Sequence, residues 1–210
     1  MTRGIRGLAM GVTLMLGLAA CSDGPGGSDD PFGGGGGAAA AVPFNPSQVA
    51  QALPSKLSAP QGWEGGSQNV IDGGEAMEAC QDAGSVSCVG LTAMGETEYD
   101  AEAVSGREIA FGLMAYDSVD NAKVGMKTLL AEGREKAGDK AKPLALDAGA
   151  EESEAYAEEG EGEVMVVLRV GTLVGYLAGS ELAAPGDLQP FAKLLTDRIK
   201  VSATGKNPDA

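Results

Sequence analysis

The chain contains no histidine. That absence removes the Ser-His-Asp triad, the Cys-His pair, imidazole metal ligands and the imidazole pH switch. Nucleophile and nucleotide motifs are missing as well: no G-x-S-x-G elbow, no S-x-x-K, no P-loop and no G-x-G-x-x-G occurs. These gaps leave no catalytic residue and no cofactor site to nominate, and the reading is of a protein that is not an enzyme. Basic residues are scarce, 15 against 30 acidic, for a net charge of −15 at pH 7. An acidic chain repels phosphate backbones and anionic headgroups, so nucleic acid is excluded as a partner and membrane attachment falls to a covalent anchor. Aromatic residues make up only 4% of the chain, with Trp63 as the single tryptophan. The apolar run 8–20 is shorter than the roughly 18–20 residues a membrane span needs.

That run follows Arg3 and Arg6, and together they have the n-region and core of a signal peptide, 1–20. It ends in Leu18-Ala19-Ala20-Cys21, which resembles the bacterial lipobox: a large apolar residue, two small ones, then cysteine. The resemblance implies that diacylglycerol is attached to the Cys21 thiol and that the signal is cut just before it. Cys21 is then the lipidated, palmitate-bearing N-terminus of a lipoprotein held on the extracytoplasmic face of the cell membrane. The alternative is an ordinary secretory signal cut at an Ala-x-Ala-like site, which leaves a free thiol. Residues 22–43 are too poor in apolar side chains to fold. As a Gly-rich tether they span about 25 Å root-mean-square. The Ala/Gly-rich style resembles that of high-GC actinobacterial proteins. Two further cysteines, Cys80 and Cys88, lie in CQDAGSVSC. Outside the cytoplasm such a pair is most simply a disulfide. A redox pair is the other reading, although it usually has the shorter Cys-x-x-Cys spacing.

Residues 44–202 read as one folded domain and 203–210 as a flexible tail. A short helix is expected over 46–53, with Asn45 as cap, Pro46 in the first turn, Gln48 three after the cap and Pro54 as stop. Residues 86–93 have strand character. In 106–116, Ile109, Phe111, Leu113 and Ala115 share one strand face. Asp117-Ser118 caps a helix running to about residue 136, with Val119, Ala122, Met126, Leu129 and Leu130 as its apolar stripe. A polar strand at 152–158 leads into EVMVVLRV, which turns Val164, Val166, Leu168 and Val170 one way and Met165, Val167 and Arg169 the other. Gly171-Thr172 suits a type II′ hairpin turn into 173–179, pairing Val170 with Leu173 and Leu168 with Gly175. A last helix, 185–200, presents Leu188, Phe191, Ile199 and either Leu195 or Leu194 to the core. The expected fold is α+β, an antiparallel sheet packed by two long helices.

Two of these segments carry a further resemblance. IAFGLMAYDSVDNA, a strand ending in tyrosine before a capped helix, and VVLRVGTLVGYLAG, a hairpin before a final helix, are similar to the extracellular sensor domain of PknH-type serine/threonine kinases. The resemblance covers about residues 48–201. It implies an envelope-side domain with a ligand groove and supplies no catalytic residues. This chain has one cysteine pair where that sensor has two.

Candidate chemistry is sparse. The glutamates at 151, 152, 154, 158, 159, 161 and 163 lack the spacing of a calcium loop and read as a solvated edge strand and turn. No metal site is expected. Arg169 sits among apolar strand neighbours and either anchors an anionic ligand or pairs with a local carboxylate. The site expected from the hairpin is the Met165, Val167, Arg169 and Tyr176 face, with Tyr116 beside it and Trp63 packed over the sheet edge. Two functional readings stand: a tethered sensor-like, ligand-binding domain, or a structural or adaptor lipoprotein contacting envelope proteins. An open Met165/Val167/Arg169 face favours the first.

Overall fold

The computed structural model of the chain describes residues 42–84, 86–182 and 184–210. The segments read from the sequence as signal peptide 1–20, lipidated Cys21 and linker, the last as far as residue 41, lie outside the described residues. Helix α1 (Pro46–Ala52) starts at the expected cap: the Gln48 N–H donates to the Asn45 side chain at 3.0 Å and the Asn45 N–H to Gln48 at 3.1 Å. The next three short elements were not expected from the sequence: β1 (Trp63–Gly65), β2 (Asn69–Asp72) and α2 (Gly73–Ala83).

The strand expected over 86–93 begins instead at Leu91 and continues to Ala101 as β3. Residues 86–90 are held off the ladder. Cys88 is bonded to Cys80 of α2, and the Ser87 N–H donates to Thr128 Oγ1 at 2.9 Å. The disulfide closes a separation of 8 residues, which in the chain-entropy picture stabilises by about 2.5 kcal/mol.

Strand β4 (Glu108–Tyr116) leads into α3 (Val119–Ala137), where the Ser118 hydroxyl accepts from the Asn121 N–H at 3.3 Å. The chain continues through β5 (Ala141–Leu144), β6 (Glu152–Glu158), β7 (Glu163–Val170), β8 (Leu173–Ser180) and α4 (Gln189–Ala203). The β7–β8 hairpin has the expected register, Val170 opposite Leu173 and Leu168 opposite Gly175. Gly171 takes φ +60° while Thr172 does not go positive, which is the II′ pattern.

The fold is α+β: among the described residues, eight antiparallel strands in the order β1-β3-β4-β8-β7-β6-β5, with β2 also on β3, and four α-helices. The two long helices lie on opposite faces. Helices α1 and α4 cover the face bearing Ile109, Phe111, Leu113, Val166, Leu168 and Leu177. On it Tyr99 meets Phe111 edge-on at 5.0 Å, and Trp63 meets Phe191 the same way at 5.0 Å. Each such pair contributes about 0.5–1.5 kcal/mol beyond its burial. Leu195, not Leu194, is the fully buried member of the α4 stripe. Helices α2 and α3 cover the other face, the one bearing Met165 and Val167.

Residues 203–210, read from the sequence as a tail, are tied back by their acid. Arg198 of α4 donates to Asp209 at 2.6 and 2.9 Å and to the carbonyls of Leu53 and Gln51 at 3.0 and 2.8 Å.

Candidate ligand-binding groove

Strand alternation decides which side chains reach the second face. Cross-strand partners Met94 and Met114, and residue Met165 two strands away, all point to it. Met77 of α2 and Met126 of α3 pack there too, so every methionine among the described residues gathers on this one face. The α1/α4 face has none among the described residues. An unbranched, polarisable thioether fills irregular space and repacks around different shapes at low cost.

Helices α2 and α3 do not meet over the middle of the sheet. Between them runs a groove of about 450 Å³, within the roughly 300–1,000 Å³ of small-molecule sites. Its floor is Met94, Met114, Tyr176 and Met165; Cys80 and Ala83 form one wall, and Leu129 and Gly133 the other. Two glycines set its depth. A Cβ on Gly112 would stand 2.0 Å from the Tyr176 ring, so that ring lies directly across the β4 backbone. A Cβ on Gly133 would stand 2.3 Å from the Tyr156 hydroxyl, so α3 rides over that phenol. The Tyr156 hydroxyl donates to Met165 Sδ at 3.1 Å, a weak acceptor. Burial raises the pKa of Tyr156, assisted by Glu158, and burial likewise raises that of Tyr176, assisted by Glu96. Both phenols stay neutral donors at neutral pH. One mouth of the groove is rimmed by Glu158 and Glu163, direct partners at the end of the β6–β7 pair, and by Glu132 and Lys136 of α3, which bond each other at 2.6 Å.

The hairpin face named from the sequence divides. Met165 and Tyr176 line the groove together. Val167 does not, because it is wholly buried in the core beneath α3. Arg169 does not either. Its guanidinium is 5% exposed and committed to Glu152 at 2.7 Å, Glu151 at 2.8 Å and the Gly171 carbonyl at 2.7 Å. These bonds pin the hairpin turn to β6, and the side chain does not line the groove. Tyr116 is also buried away from it, its hydroxyl donating to the Ser87 carbonyl at 3.1 Å, and burial pushes its pKa up to about 12. The sequence reading missed Met94, Met114 and Tyr156. The one signal for the two methionines was that methionine after residue 20 recurs on strands and on the inner stripes of helices.

Among the described residues no three His, Cys, Asp or Glu side chains converge to hold a metal ion, and no helix is long and apolar enough to cross a membrane. No protein-family model matches the chain, and no curated protein matches it. Among solved structures it is similar to the extracellular domain of PknH from Mycobacterium tuberculosis, with 11% identity and a TM-score of 0.49. That likeness covers 79% of this chain and 100% of the other. A likeness at that level says nothing about ligand or activity.

Proposed function

We propose that this is an extracytoplasmic, membrane-anchored lipoprotein whose folded domain binds the apolar chain of a small amphiphile between α2 and α3 and catalyses nothing. The observation that carries the binding reading is the gathering of all described methionines on the face where the helices part. A floor of Met94, Met114 and Met165 offers a hydrocarbon chain an apolar contact that reshapes itself, and the half-buried Tyr176 ring offers it a flat one.

The test fills the groove. Ala178 lies on its floor and is half-buried. In Ala178→Phe, the neutral fluorescent probe N-phenylnaphthylamine loses access to that part of the floor. Excluding two methylene equivalents at about 0.8 kcal/mol each weakens binding by about 10-fold. Unchanged probe affinity in a folded Ala178→Phe variant contradicts the assignment of this groove. The anchor rests on LAAC at 18–21. Cys21→Ala is expected to release the protein from membranes, and a variant that still sediments with them contradicts the anchor.

A further inference from the structure

Resting on that groove reading, we infer that the amphiphile carries a cationic head, an ammonium group, seated at the mouth formed by Glu158 and Glu163. Seven glutamates crowd residues 151–163, and five of them are matched to a base. Glu151 and Glu152 hold Arg169, Glu154 holds Arg134, Glu159 holds Lys142 and Glu161 holds Lys140. Of the seven, only Glu158 and Glu163 make no salt bridge among the described residues, although Lys140, bonded to Glu161, lies near enough to Glu158 to feel its charge, and they are the two that line the groove. They stand directly opposite each other across the β6–β7 pair, an arrangement of like charges that weakens a sheet unless a cation lies between them.

No nearby base is free to serve. Lys136, the one cation on the rim, is taken by Glu132 at 2.6 Å, and Lys140 is taken by Glu161. Three further features have the same sign. Ala137, the last residue of α3, lines the groove, so the partly negative end of that helix faces the mouth. Glu96 lies close enough to Tyr176 to help raise its pKa. The rings of Tyr156 and Tyr176 line the groove, and aromatic rings attract a cation placed over them. An apolar trough with an acidic, aromatic mouth matches a chain with an ammonium head and repels one with a carboxylate or phosphate head.

The experiment is calorimetric titration of the full chain with two single-chain amphiphiles of equal length, one ending in trimethylammonium and one in carboxylate, both below their micelle thresholds. The ammonium compound is expected to bind about 10-fold tighter, from two ion pairs at the solvent-exposed mouth and a ring contact. Added salt narrows that gap. In Glu158→Gln/Glu163→Gln the preference falls to within about 2-fold, because the ion pairs are gone and only the ring contact is left. Equal binding of the two heads, tighter binding of the carboxylate, or a preference that survives the double substitution overturns the cationic head while leaving the groove reading in place. Binding of neither compound overturns both.

Discussion

Arg198→Ala is expected to destabilise the domain by about 3–5 kcal/mol, the usual cost of removing one partner from a buried ion pair. The side chain is 4% exposed and makes bonds to Asp209, Leu53 and Gln51 that must all be replaced. Its loss leaves Asp209 without its countercharge and the Gln51 carbonyl without its donor, while the Leu53 carbonyl keeps only Gln68 Nε2, at 2.9 Å. Those carbonyls end α1, so the substitution also loosens the packing of α1 against α4. For a domain of this size the melting temperature should fall by about 10 °C.

Acid acts on the same link. The Arg198 hydrogen bond, reinforced by Ser55, holds the Asp209 carboxyl below its ordinary value against the opposing effect of burial. A carboxyl with a lowered folded-state pKa adds stability that is fully present above its unfolded pKa, about 3.9, and is lost as pH falls through the folded value. Asp209→Asn should therefore flatten the acid limb of the stability curve and leave the neutral region lower. An Arg198→Ala variant that melts within about 2 °C of the parent, where a shift of about 2–4 °C corresponds to 1 kcal/mol, contradicts the structural role given to this residue.

Gly125→Ala should also destabilise, although helix propensity points the other way. In an exposed helix interior, alanine is favoured over glycine by about 1 kcal/mol. Here the added Cβ would stand 2.2 Å from the Tyr116 hydroxyl and 2.4 Å from the ring carbon that bears it. Tyr116 has no free volume to retreat into: it is wholly buried and tethered through its hydroxyl to Ser87. Overpacking at such a site costs about 1–3 kcal/mol, so the net effect is a loss of about 1 kcal/mol once propensity is offset. In a Tyr116→Phe background the clash is partly relieved, and Gly125→Ala should cost less there than in the parent. Chemical denaturation of the four proteins of this cycle reads the coupling directly. If Gly125→Ala stabilises the parent, α3 does not lie that close to β4.

The elements legible in the sequence are those whose pattern is local. The β7–β8 hairpin announces itself by period-two alternation around Gly171-Thr172, and α1 by the Asn45-Pro46-Gln48 cap. The second half of β3 is hidden because Glu96, Glu98 and Asp100 face outward between Thr97 and Tyr99, which makes a buried strand look like a polar linker. The shift of its start to Leu91 reflects the Cys80–Cys88 bond, which spacing alone proposes as a pair but does not place against the ladder. The groove itself is a product of tertiary placement. Its methionines come from three strands that are distant in sequence, and its existence depends on α2 and α3 sharing a face while α4 takes the other. Arg169 illustrates the same limit. The sequence shows a cation among apolar neighbours, but only the β6–β7 register brings Glu152 directly opposite it.

The most direct test of the groove uses the methionine methyl groups as reporters. In protein labelled at methionine methyls, titration with a neutral single-chain alkyl glycoside should move the resonances of Met94, Met114 and Met165 saturably and together. Met126, packed under α3 away from the groove, should stay in place. Resonances of Met94, Met114 and Met165 that do not move, or that drift without saturation along with Met126, would contradict a chain-binding site between α2 and α3.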